Sequence, residues 1–130
     1  MAGHCSPGGE VFGMIVVTLP LRIESIANKR EHWAARSARA KSQRVQAWAE
    51  LRYVDSAPRL LGPVVVTLTR IAPRELDSDN LAIGFKSVRD GVADWLGVND
   101  NDSRIEWVYA QERGAPKQYA ARVSIEEVRP

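Results

Sequence analysis

The chain is predicted to fold as a single α+β domain of order β-α-β-α-β-β, a mixed four-stranded sheet with two helices on one face. Three observations predict it. Residues 30–53 contain no Gly or Pro and are dominated by Ala, Arg, Gln, Glu and Lys, the composition of a long helix. Leu81, Phe85, Val88, Val92 and Trp95 recur at spacings of four, three, four and three, which places them on one face of a second helix. Around these two segments lie four β-rich runs punctuated by Pro, Gly and Asp.

The elements follow in order. Residues 1–12 are rich in Gly, Pro and Ser without periodicity and are expected to form a flexible leader to a domain spanning 13–130. Met14 to Leu19 is β-prone and Pro20 stops it. After a loop through Asn28 and Lys29, a helix is predicted from Arg30 to Tyr53, with Ala34, Ala38, Val45, Trp48 and Ala49 as its apolar stripe. The break at Ser56-Ala57-Pro58 ends it, and Gly62-Pro63 introduces a second strand, Val64 to Arg70. Asp79 or Ser78 is placed to cap a helix over Asn80 to Leu96, which Gly97 terminates, while Gly84 and Gly91 weaken its interior. Ile105–Ala110 and Gln118–Ile125 alternate as strands and are predicted to pair as a hairpin around Gly114-Ala115-Pro116. Strands separated by helices are expected to run parallel. Trp48 and Trp95 are assigned to the core and His32 to a loop or helix start.

Size and composition limit the function classes. At 130 residues, with 45% hydrophobic and 26% charged residues, the chain suffices for one globular domain. The longest mostly apolar run, Val11 to Leu21, is too short for a membrane span, and no secretory signal pattern opens the chain. A single cysteine, Cys5, excludes an internal disulfide and fits a reducing cytoplasm. One Cys and two separated His exclude a zinc finger. No membrane partner and no small-molecule cofactor are expected. Net charge is only +2, yet eight Lys/Arg against three Glu fall between Arg22 and Arg52. That segment reads either as a phosphate-binding face or as an ordinary solvated helix surface.

The chemistry concentrates further along. Six of the seven aspartates lie between Asp77 and Asp102. Carboxylates so close repel unless a cation sits among them, so Asp77, Asp79 and Asp102 are candidate ligands of Mg²⁺ or Mn²⁺, ions that take few protein oxygens and leave room for water and phosphate. Lys86 is the candidate for offsetting charge in a phosphoryl transition state. The alternative reading is plainer: Asp79 caps the helix, Asp100 and Asp102 shape a turn, and Lys86 pairs with Asp90 four residues on. An EF-hand is excluded, because counting from Asp77 the sixth position is Ala82 and the twelfth Val88. For Asp102 to join the other two, the loops after the second strand and before the third must bend toward a common point.

Asp77-Ser78-Asp79-Asn80-Leu81, Lys86 within the helix, and Asn101-Asp102-Ser103-Arg104-Ile105 before a strand together resemble the RusA family of Holliday junction resolvases. Thr18-Leu19-Pro20 followed by Asn28 before a basic helix adds to the likeness, which runs from about Val16 to Ile125. The resemblance implies a homodimeric, Mg²⁺-dependent endonuclease that nicks four-way DNA junctions in the cytoplasm of a bacterial or phage-infected cell. By carry-over Asp77, Asp79 and Asp102 bind metal, Lys86 assists catalysis and Asp100 acts as an outer-shell acid. Lys29, Arg30, Arg36, Arg70, Arg74 and Arg104 are the residues singled out for DNA contact. Two positions depart from the family pattern. Ile83 stands where the family's lysine commonly falls, which moves the amine roughly 4.5 Å along the helix, and Asn101 replaces the first acid of a doubled pair. A non-catalytic nucleic-acid-binding protein on the same fold is the competing expectation, and a metal-stabilised structural protein a third.

Overall fold

A computed structural model describes residues 14–24, 33–55 and 62–128. The expected leader, together with Lys29, Arg30 and His32, lies outside the described residues. The elements are β1 (Met14–Leu19), α1 (Trp33–Val54), β2 (Val64–Ala72), α2 (Ser78–Gly84), α3 (Lys86–Leu96), β3 (Ile105–Arg113) and β4 (Ala120–Glu127). This is the α+β order predicted, with a mixed four-stranded sheet.

The strand order is β1-β4-β2-β3. β2 and β3 are parallel, in register from Val64 beside Ile105 to Ala72 beside Arg113. β4 is antiparallel to both β1 and β2. The predicted β3–β4 hairpin therefore does not form. Residues 114–119 cross the end of β2 instead, tied there by the Gly114 amide donating to the Ala72 carbonyl at 2.9 Å. β4 instead pairs on both edges, with β1 and β2, and buries Ala121, Val123 and Ile125 fully in the core. A hairpin on β3, already the outer neighbour of β2, would have left β4 at the edge.

One face of the sheet carries the core. Val64, Val66 and Leu68 of β2 join Ile15, Val17 and Leu19 of β1 under the helices, with Leu81, Phe85, Val88, Val92 and Trp95 packing down on them. The helical stripe read from spacing is thus the buried one. It belongs to two helices rather than one, because the run is interrupted at Phe85, whose amide is shared between the Leu81 and Ala82 carbonyls at 3.2 Å each. Gly84 lies beside the interruption, where a Cβ would stand 2.8 Å from Ile23 Cγ2. Gly91 serves the other helix contact: a Cβ there would strike the Arg44 carbonyl and sit 2.9 Å from Ala47 Cβ, so its absence sets how closely α1 and α3 approach. α3 ends at Gly97, left-handed at φ 76°, as predicted.

α1 shows a different face from the one expected. Ala47 and Leu51 are its buried residues, while Ala34, Ala38, Val45 and Ala49 are exposed and Trp48 is 36% exposed. The helix is turned so that Ala47 meets Gly91 and Arg44 reaches Asp94, with Nε to Oδ2 at 2.6 Å and Nη2 to Oδ1 at 2.9 Å. Trp95 is buried and donates its indole N–H to the Asp55 carbonyl at 2.8 Å. Among the described residues no helix is long and apolar enough to cross a membrane.

Candidate metal and phosphate site

β2 ends at Ala72 and residues 73–76 lead to the start of α2. Two side chains hold that lead. Gln111 of β3 clasps Leu76 from both sides, accepting from its amide at 2.9 Å and donating to its carbonyl at 2.7 Å. Arg70 of β2 donates from Nη1 to the Arg74 carbonyl. The next residue, Asp77, is extended at φ −70° and ψ 166° and caps α2. Its Oδ1 accepts from the Asn80 amide at 2.8 Å and its Oδ2 from the Asn80 side-chain amide at 3.0 Å. The cap is therefore Asp77, not Asp79 or Ser78, because the carboxylate reaches the third helical amide only from the residue before the helix. Asp79 follows in the first turn, exposed.

Asp102 does not join them within the chain. β2 and β3 are parallel, so the exit of one and the entry of the other lie at opposite ends of the sheet. Leu76 is fastened to Gln111, six strand positions beyond Ile105, which separates Asp77 from the Asp102 turn by roughly 20 Å. The turn is self-contained: Asp102 Oδ1 accepts from the Arg104 amide at 2.9 Å and from its Nε at 3.0 Å, and Oδ2 from Nη2 at 2.9 Å. These Arg104 bonds lower the Asp102 pKa to about 2. Among the described residues no three acids, His or Cys form a group that would hold a metal.

Asp100, two residues before Asp102, has partners of its own. Lys86 Nζ reaches Asp90 Oδ1 at 2.7 Å, the expected i,i+4 pair, and Asp100 Oδ2 at 3.3 Å. Arg89 adds Nε to Asp100 Oδ2 at 3.0 Å and stacks its guanidinium 4.6 Å from the Trp107 ring centre. The Lys86 ammonium is thus engaged by two carboxylates, the bond to Asp90 first among the causes that raise its pKa. Burial works upward on Asp100, yet Lys86 and Arg89 together hold it below the usual range.

The basic residues divide by what they touch. Arg104 is neutralised by Asp102 and Arg44 by Asp94. Arg36 lines a groove between α1 and α2 with Arg22, Gln43 and Lys86. Arg70 and Arg74 line two grooves at the carboxyl end of β2, of about 420 and 310 Å³. The second reaches Leu76, one residue before Asp77. Sequence reasoning missed Gln111, whose only signal was a polar residue late in an otherwise β-prone run, and Arg22 and Tyr119 as parts of one groove. Comparison with known proteins finds no family model and no curated protein that matches the chain.

Of the three candidate metal ligands, two lie close enough along the chain to share an ion. Asp77 and Asp79 lie at one helix entrance; the Asp79 side chain has no hydrogen bond or ion pair among the described residues, and Asp77 keeps lone pairs beyond the two used in capping. Two carboxylates with water and a substrate phosphate are a usual Mg²⁺ environment.

Proposed function

We propose that the protein is a metal-dependent, structure-selective endodeoxyribonuclease that acts on branched DNA, four-way junctions included, as a cytoplasmic homodimer. The observation that carries this reading is the acid pair Asp77 and Asp79 at the same end of the sheet as the arginine-lined grooves. What a divalent ion supplies there when bound is activated water and counter-charge for a phosphodiester. The chain's own part is positional. Gln111 and Arg70 hold residues 74–76, and Asn80 orients the Asp77 carboxylate. The arginines draw the DNA backbone toward those acids, an attraction that weakens as salt rises.

The test is cutting of a synthetic four-way junction with Mg²⁺ or Mn²⁺. Wild type is expected to cut and Asp79→Asn to lose cutting at least a hundredfold with its circular dichroism unchanged. Intact junctions under wild type would remove the enzymatic reading. With about 20 Å between them in one chain, Asp102 enters the same centre only from a second copy. Mixing Asp79→Asn with Asp102→Asn chains decides this: recovered cutting in the mixture assigns Asp102 to the centre, whereas full cutting by Asp102→Asn alone leaves it a turn residue.

A second reading, a nucleic-acid-binding protein without catalysis, is favoured by one observation: the Asp77 and Asp102 carboxylates are already engaged inside their own turns. It predicts junction binding with a steep salt dependence and no cutting with any divalent ion.

A further inference from the structure

We propose that Arg70, Arg74 and Arg22 form a binding site for a phosphate group, independent of any metal, at the carboxyl end of β2. Arg70 follows Val64, Val66 and Leu68 on the core face of the central strand and is only 7% exposed. A cation so buried ordinarily has a carboxylate against it. Arg70 instead donates to two main-chain carbonyls, Ile23 at 2.8 Å from Nε and Arg74 from Nη1, and to the Gln111 side-chain oxygen at 3.4 Å. Among the described residues no carboxylate lies within ion-pair distance of it. Arginine does not shed its proton in proteins, so the charge stays and is only partly compensated.

The same residue lines both grooves. In the smaller one, Arg74 is exposed and the Arg22 guanidinium carbon lies over the Tyr119 ring, 4.0 Å from its centre. Stacking presets the Arg22 guanidinium, leaving its edge for an oxyanion. Two glutamates share this groove. Glu24 is 3.7 Å from Arg22 Nε, beyond a hydrogen bond, and Glu75 is exposed. A bidentate phosphate competes with such a contact on better geometry than a surface carboxylate.

The site itself stands on this geometry; assigning its occupant to a DNA backbone, beside the phosphate at Asp77 and Asp79, rests on the proposed function. Two probes separate the claims. Inorganic phosphate is titrated against chloride at matched ionic strength while thermal unfolding is followed, for wild type, Arg22→Gln, Arg74→Gln and the double variant. Both substitutions are at exposed side chains and are expected to leave folding intact, which circular dichroism checks. The unfolding temperature of wild type is expected to rise with phosphate, and apparent affinity to fall roughly tenfold for each arginine removed. Labelled four-way junction is then titrated in EDTA, where cutting is impossible, and the slope of log affinity against log salt is expected to drop by about one per arginine. Phosphate dependence lost in the double variant with an unchanged junction slope keeps the site and assigns it to free phosphate. Wild type indifferent to phosphate, or variants that respond as wild type does, overturn the site.

Discussion

Asp77 is asked to do two things. Its carboxylate caps α2, and on the proposed function it also faces a metal. Capping alone is worth about 1 kcal/mol, so Asp77→Ala is expected to lower unfolding free energy by about that much in urea titration, with or without magnesium. Asp102 clasps Arg104. Its folded pKa of about 2 lies below the ordinary aspartate value of about 3.9. A depressed carboxylate stabilises the fold while ionised, so its contribution is complete above about pH 4 and disappears as pH falls toward 2. Thermal unfolding followed from pH 5 to 2 is expected to show a shallower loss in Asp102→Asn than in wild type. An unchanged slope would mean that the clasp does not persist in solution.

Among the elements, the α1–α3 seam is the most tightly specified. Gly91 faces the Arg44 carbonyl and Ala47 with no space for a methyl group. Gly91→Ala raises helix propensity, which on an exposed helix would stabilise by about 1 kcal/mol. Here overpacking opposes and outweighs it, and a net loss of about 1–3 kcal/mol is expected. Urea midpoints read the sign directly. Spacing within α2 and α3 revealed their buried face because five large apolar residues leave no other solution. α1 was harder to read. It has few large apolar residues, and its orientation follows from one glycine on a partner helix and the two-bond Arg44–Asp94 pair, neither of which leaves a periodic trace. The interruption at Phe85 is likewise set by contact, with Ile23 lying beneath Gly84.

At the scale of the molecule, the strands were legible and their order was not. Alternation marks β4 as a strand, but a local pattern says nothing about which neighbours bury both its edges. Only the completed sheet does, and it inserts β4 between β1 and β2. The placement of the acids depends on topology in the same way. Proximity along the chain suggested convergence, whereas two parallel strands joined through α2 and α3 carry Asp77 and Asp102 to opposite ends of the sheet. What remained readable was chemical type: an acid pair at a helix entrance and arginines close by. Hydrogen exchange is expected to follow the strand order, with amides of β2 and β4 exchanging last and those of the outer strands β1 and β3 earlier. Equal protection of all four strands would indicate that both edges are covered in solution.

The placement of β4 also governs when the protein can be finished. During synthesis β1 emerges before β4 and has no hydrogen-bonded neighbour until Ala121–Glu126 arrive beside it. A ribosome-bound chain still lacking residues 120–127 would hold β2 and β3 paired while β1 waits with its strand edges open. The four-stranded sheet therefore closes only once residues 120–127 are available to stand between β1 and β2, a long-range step that leaves strand edges open until it happens.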